Sequence, residues 1–326
     1  MYEAIKNFNK QFAYEPEIVN KEALAKKTGF ISIGMGGSNL APKILNTWKP
    51  SLNVSIRSDY GLPDLPIEEL KQKLVILSSY SGNTEEPVDA FKQAKEKDLS
   101  MAVIATGGEL LKLAIENKIP YIQLPDTGIQ PRSALGFSVK AFLKLIGEED
   151  ELKKISKLAE TLNPIAYEEK GKALAETIKG YIPVIYTSTR NFSIAYNWKI
   201  KFNETGKIPA FYNLVPELNH NEMTGFDVKD STWELSGKFH FFVLKDNEDD
   251  PRILKRMEVL EKLYKDRNLK VETIDLDALS GRGDKWHKVF SALLLADWAA
   301  YHTALLYGLE PEQVPMVEEF KKIIAP

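Results

Sequence analysis

Five short apolar runs, interleaved with longer stretches of helical pattern, constrain the first half of this chain more than any other feature. They are FISIGMG (30–36), NVSIRS (53–58), KLVILSSYS (73–81), MAVIAT (101–106) and YIQLP (121–125). Continuous Val/Ile-rich runs of this length suit strands covered on both faces, and the intervening stretches suit crossover helices. The pattern predicts a doubly wound parallel sheet. A second alternating series follows: YIPVIYTS (181–188), a helical NFSIAYNWKIKFNE (191–204), PAFYNLV (209–215), KFHFFVLKD (238–246), a charged helix near 252–267, KVETIDLD (270–277) and a long helix over 285–307. Between the two series, residues 138–176 carry no strand signal and read as helices. A chain of 326 residues has room for two such units. The predicted division is 1–147 for the first domain and 148–326 for the second, the latter including the helical linker and the C-terminal helices.

Composition limits the chemistry. A net charge of -3 provides no global attraction to nucleic acid or an anionic membrane, so any anion must be bound locally. The chain has no Cys, which excludes disulfides, thiolate nucleophiles and Cys-ligated metals. The N-terminal stretch has no apolar core of signal-peptide length, and no stretch is expected to approach the ~20 apolar residues of a membrane span. A cytoplasmic protein is expected.

Two loops can hold an anion. The first is GMGGSN (34–39), where a strand, a glycine turn and a helix start bring free backbone N–H groups and the helix dipole together. It matches the first two glycines of a dinucleotide fingerprint, but Asn39 stands at the third. Asp59 follows the second strand at about the spacing of a ribose-binding acid, so a dehydrogenase stays open at this level. The second loop is SSYSGNTEEP (78–87), which crowds Ser78, Ser79, Ser81 and Thr84 at the end of an apolar strand. Helix capping explains one hydroxyl there and leaves the others unexplained, which favours an anion site. No GxxxxGK[ST] is present.

Three further stretches carry candidate chemistry. In IQPRSALGFS (129–138), small residues let backbone approach Arg132, whose guanidinium would stabilise negative charge on a substrate oxygen. In KIKFNETGK (199–207), Glu204 ends a helical run beside Thr205 and Gly206, a place where a carboxylate can face a cleft. In ELNHNE (217–222), His220 sits among Asn219, Asn221 and Glu222, which can orient an imidazole of near-neutral pKa. Glu217 and Glu222 are the alternative carboxylates to Glu204. His240 reads as a packed or exposed strand residue, and His287 and His302 read as structural. No metal motif such as HExxH occurs, and no metal is expected.

Taken together, GMGGS, SSYSGNTEE, QPRSALG, KFNETGK, ELNHNE and the tail WHKVFSALLLADWAAYHTALLYGLEPEQVPMVEEFKK resemble the sugar isomerase (SIS) superfamily. The resemblance is closer to its archaeal and bacterial bifunctional phosphoglucose/phosphomannose isomerases. It implies an α/β chain of two SIS domains, each a mainly parallel five-stranded sheet flanked by helices in a flavodoxin-like three-layer sandwich. It also implies a homodimer with the active site at domain and subunit boundaries. By resemblance, Gly36, Gly37 and Ser38 approach the sugar, Ser79, Ser81 and Thr84 bind the phosphate, and Arg132 lies beside an enediolate. Glu204 resembles the base, His220 the ring-opening residue supplied by the partner subunit, and Lys321 the C-terminal lysine that assists it, with Lys322 one position away.

The implied chemistry is interconversion of glucose 6-phosphate and mannose 6-phosphate with fructose 6-phosphate, with no cofactor. Rival readings are a non-catalytic sugar-phosphate sensor, an SIS enzyme of amino-sugar phosphates, and the dehydrogenase. No basic helix or helix-turn-helix arm for nucleic acid is visible.

Overall fold

A computed structural model of the chain describes residues 1–52, 54–281 and 284–324. Asn53, which opens the second predicted strand, lies outside the described residues, as do the last two residues of the predicted second domain. The chain forms two compact units, Lys6–Asn163 on one side and Met1–Ile5 with Pro164–Pro326 on the other.

In the unit Lys6–Asn163, strands β1 (Gly29–Ile33), β2 (Val54–Arg57), β3 (Lys73–Ser78), β4 (Met101–Ala105) and β5 (Tyr121–Gln123) form one sheet in the order β2-β1-β3-β4-β5. All strand pairs in it are parallel. An isolated antiparallel bridge joins Val19 to Tyr121. The strands are buried on both faces, as their unbroken apolar runs require. One face carries Ile31, Ile33, Val75, Leu77 and Val103, which pack with Phe91 of the helix Glu85–Glu96 and Leu110 of the helix Gly108–Glu116. By strand alternation Leu74, Ile76, Ala102 and Ile104 serve the opposite face. Each of these buried side chains other than Ala102 contributes roughly 1.5–3 kcal/mol of apolar burial.

The unit ends later than the sequence pattern suggests, at Asn163 rather than near 147. The helices Glu149–Ser156 and Leu158–Thr161 bury Leu152, Ile155 and Leu158 within it. Asn9 supports this arrangement by donating to Ala159 O at 2.7 Å.

In the unit Pro164–Pro326, β6 (Ile182–Ser188), β7 (Phe211–Val215), β8 (Phe239–Lys245) and β9 (Lys270–Asp275) form a parallel sheet in the order β7-β6-β8-β9. Among the described residues this sheet has four strands, one fewer than the five expected. The reason is local: after β9 the described chain enters the short helix Leu276–Ser280 and then the long helix Lys285–Leu306, and no fifth strand is seen among the described residues. Val184, Tyr186, Phe241 and Val243 pack with Met257, Leu260 and Tyr264 of the helix Pro251–Lys265. The helix Phe192–Glu204 contributes Trp198, 5.6 Å from Phe242 between ring centroids, and Phe202, stacked on the same ring at 6.3 Å.

The helix Lys285–Leu306 corrects one expectation. It is long and apolar enough to cross a membrane by length and composition, yet 78% of its apolar window is buried inside the protein. It is a core helix. Trp198 Nε1 donates to its Ala292 O at 2.9 Å, and Gly171 lets another helix approach so closely that a Cβ there would stand 2.4 Å from the Trp298 Cβ.

Candidate active site

In a parallel sheet of order β2-β1-β3-β4-β5, the chain leaves β1 toward one edge and returns on its other side at β3. Loops that follow adjacent strands of opposite connection part there and leave a crevice at the C-terminal ends of the strands. The two candidate anion loops are those that follow β1 and β3.

The β1 loop turns through Gly36, at φ +48°, into a short turn Gly36–Asn39 and then the helix Leu40–Trp48. Asn39, the residue at the position of the missing third glycine, donates its side-chain amide to Gly34 O and, at 2.8 Å, to Ser58 Oγ. It closes the loop on itself. Asp59, the candidate ribose acid, is exposed, caps Tyr60 N at 2.8 Å and lies 3.4 Å from Arg57. Ser38 accepts a hydrogen bond from Tyr80 N at 2.9 Å, which ties the β1 loop to the β3 loop.

The β3 loop is a preformed cradle. Gly82 sits at φ +74°, and a Cβ there would fall 1.8 Å from Gly107 O, so no other residue fits. Asn83 Oδ1 accepts from Glu109 N at 3.0 Å, fastening the loop to the start of the next crossover helix. Ser79 is fully buried, its Oγ 2.8 Å from Thr84 Oγ1 and accepting from Gly82 N at 3.0 Å. Ser81 is exposed, and its Oγ accepts from Asn83 N at 3.3 Å. Thr84 is the N-cap of the helix Glu85–Glu96 but makes no side-chain cap bond. Capping therefore does not account for these hydroxyls, which stand at a helix N-terminus suited to an anion.

Arg132 joins this group. It lies in the turn Pro131–Ser133, is 2% exposed, and its Nη1 is 3.5 Å from Gln130 Oε1. A Cβ at Gly37 would stand 2.8 Å from Arg132 N and 2.8 Å from Pro131 C, so the Arg132 turn rests directly on the glycine loop. The residue that fixes this turn, Gln11, has no signal in the sequence beyond being polar within an apolar stretch. Its Nε2 donates to Ser133 O at 2.6 Å and its Oε1 accepts from Gly136 N at 2.9 Å. Thus Gly36, Gly37, Ser38, Ser79, Ser81, Thr84 and Arg132 come together on one unit.

The remaining candidates lie on the unit Pro164–Pro326, on three separate elements. Glu204 is half-buried and is the last residue of the helix Phe192–Glu204. A carboxylate at a helix C-terminus opposes the helix dipole, a placement that helix stability does not favour. Lys207 Nζ donates to its backbone carbonyl at 2.5 Å. His220 is exposed and ends the turn Glu217–His220. Two of the neighbours expected to orient it are engaged elsewhere. Asn221 Nδ2 donates to Glu217 Oε1 at 2.8 Å, and Glu222 accepts from Tyr186 and Asn213. Lys321 is exposed on the helix Pro315–Ile324 and is ion-paired to Glu318 at 2.7 Å, while Lys322 beside it is also exposed.

The other histidines are packed against structural partners. His240 is stacked 4.9 Å from Phe242, and burial pushes its pKa down to about 4. His287 Nδ1 is 3.1 Å from Asp284, and His302 stacks on Trp298 at 6.0 Å. Among the described residues, no group of three or more His, Cys, Asp or Glu side chains is arranged to hold a metal.

The second sheet offers no equivalent of the hydroxyl cradle. The loop after β8, at the position that β3 holds in the first sheet, reads DNEDD (246–250). Its carboxylates are held internally: Ser188 Oγ donates to Asp249 at 2.7 Å, and Lys288 lies 2.7 Å from Asp246 and 2.6 Å from Asp277. Burial pushes the Asp249 carboxyl above its usual range.

The chain is similar to known proteins over nearly its whole length. A family profile for the bacterial phospho-glucose isomerase C-terminal SIS domain matches residues 167–324. A bifunctional phosphoglucose/phosphomannose isomerase from Aquifex aeolicus is 33% identical over 332 residues, covering 99% of this chain and 97% of that protein. Another protein of that name, from Caldicellulosiruptor bescii, is 32% identical over 346 residues, covering 100% of this chain and 99% of its own. The crystal structure of a glucosamine-6-phosphate deaminase from Thermotoga maritima shares the fold at a TM-score of 0.66 and 18% identity, covering 96% of this chain and 97% of that one.

Proposed function

The chain belongs to the bifunctional phosphoglucose/phosphomannose isomerases, and from that premise we propose a single site at which glucose 6-phosphate and mannose 6-phosphate are each converted to fructose 6-phosphate. The observation that carries this reading is the hydroxyl cradle after β3 joined to the buried Arg132. It suits a phosphate at one end and a developing oxyanion at the other.

In this reading Ser79, Ser81 and Thr84 hold the phosphate with the N-terminal N–H groups of the helix that follows. Gly36 and Gly37 let backbone approach the sugar, and Ser38 positions the loop against Tyr80. His220 and Lys321 exchange protons with the ring oxygen and the C1 oxygen to open the ring. Glu204 then carries a proton between C2 and C1. The cis-enediolate formed between the two transfers bears negative charge on oxygen, which the Arg132 guanidinium stabilises more strongly in a dry site than in water. The enediolate has no stereochemistry at C2, so protonation from either face yields one aldose or the other.

The reading includes a cytoplasmic homodimer in which His220 reaches the site from the partner subunit. Neither the sensor nor the dehydrogenase gains a specific observation: Asp59 is spent on Tyr60 and Arg57, and Asn39 closes its own loop.

The cradle is tested by Ser79→Ala. A hydrogen bond to a charged group contributes about 1.5–3 kcal/mol, so KM for both aldose phosphates is expected to rise by roughly ten- to a hundredfold. Because the phosphate is remote from C1 and C2, kcat should fall far less. An unchanged KM would move the phosphate away from this loop.

A further inference from the structure

Glu222 is one of two acidic residues of the ELNHNE stretch that the chemistry above does not use, and its surroundings are specific. Tyr186, fully buried in β6, donates its hydroxyl to Glu222 Oε1 at 2.5 Å. Asn213 of β7 donates its amide to Glu222 Oε2. Tyr186 and Asn213 are register partners across the β6–β7 pair, so the two donors come from adjacent points on one rigid sheet. Burial, ahead of the neighbouring Tyr264 and Glu222, pushes the Tyr186 pKa far up, so the hydroxyl keeps its proton and acts as a donor.

The same segment also packs on the core through Leu218, Met223 and Phe226, the last 4.8 Å from Phe241 between ring centroids. Beyond it is a hollow of about 350 Å³ lined in part by Asn221, Glu222, Phe226, Leu235 and Phe239. The turn Glu217–His220 and the helix Glu222–Gly225 are short and follow each other directly. Asn221 braces the junction from both ends, donating to Glu217 and accepting from Glu222 N at 2.6 Å. His220 thus stands two residues from the buried Leu218 on one side and two from Glu222 on the other, and the Glu222 anchor holds the second side. Both Glu222 oxygens accept hydrogen bonds from the sheet, which ties the carboxylate to β6 and β7.

We infer that Glu222 is a positioning residue: Tyr186 and Asn213 pin its carboxylate to the β6–β7 pair, and this anchor sets where the loop presents the His220 imidazole. The inference rests on the reading of His220 as the ring-opening group and places Glu222 behind Glu217 among the alternative bases. A displacement of about 1 Å in a proton-transfer group is enough to lower rates by roughly a hundredfold, so the anchor has a measurable effect.

A double-mutant cycle tests it. In the full-length protein, kcat/KM for fructose 6-phosphate is measured across pH for Tyr186→Phe, Glu222→Ala, His220→Ala and the pairwise combinations with His220→Ala. Tyr186→Phe removes one hydroxyl and keeps the ring packing, so it serves if Glu222→Ala does not fold. Expected are a loss of about tenfold in Tyr186→Phe, displacement of the pH limb that His220→Ala abolishes, and less than about threefold further loss when either change is added to His220→Ala. Losses that multiply in the His220→Ala background, or a pH limb that stays in place, would overturn the positioning role while leaving His220 intact. Full activity in His220→Ala alone would overturn the reading of His220 and the inference with it.

Discussion

Glu204→Gln is expected to lower turnover of both aldose phosphates by about 10²–10⁴-fold, the range that a positioned general base contributes. The amide keeps the shape of the side chain and removes its capacity to take a proton from C2. Binding should survive, with the affinity for fructose 6-phosphate within about threefold of the parent, because a group that acts only in the transition state adds little to ground-state binding. Exchange of the C2 hydrogen with solvent, followed by NMR, should stop in the same variant. Ordinary turnover would transfer the base role to another carboxylate, and Glu217 would then be tested first, since both oxygens of Glu222 are already engaged.

The second large effect concerns stability. Lys201 Nζ lies 2.5 Å from Asp297 Oδ1, with the two side chains 1% and 5% exposed. This buried pair joins the helix Phe192–Glu204, which ends in Glu204, to the core helix Lys285–Leu306. Removing one partner of such a pair typically costs about 3–5 kcal/mol, because the other charge is left in an apolar surrounding without its counter-ion. Asp297→Ala should therefore lower the urea midpoint substantially, read by tryptophan fluorescence because Trp198 and Trp298 are both buried in this unit. Lys201→Met combined with Asp297→Leu, which replaces the pair by apolar groups, should recover most of the loss. A midpoint unchanged in Asp297→Ala would mean that the pair contributes nothing to the packing of these helices.

The sheet strands and the crowding of hydroxyls after β3 were both legible in the residues, and for the same reason. A parallel strand buried on both faces has to read as an unbroken apolar run, so 73–78 and 101–105 announce themselves. Four hydroxyls at the end of such a run exceed what capping needs, and Thr84 indeed makes no cap bond. The domain limit was less visible because residues 149–161 are amphipathic helices with no local preference for either unit. Only the burial of Leu152, Ile155 and Leu158 assigns them.

Gln11 was invisible for a different reason. Its effect is to satisfy Ser133 and Gly136 more than a hundred residues away, and no local pattern encodes such a contact. The asymmetry between the two sheets could be read only in part. DNEDD is conspicuous as acidic, but its place as the counterpart of the hydroxyl loop needs the strand order. His220 marks the opposite limit, since its neighbours in sequence suggested an orienting shell, while Asn221 and Glu222 bond elsewhere.

The most direct test of one enediolate site with two aldose products is isomerisation of pure fructose 6-phosphate in D2O, with both products separated and read for deuterium at C2. The expected result is formation of glucose 6-phosphate and mannose 6-phosphate together, with deuterium at C2 in those turnovers in which the proton held by Glu204 exchanges with solvent, and loss of both in Glu204→Gln. A Glu204→Gln variant that loses one aldose and keeps the other would contradict a shared enediolate.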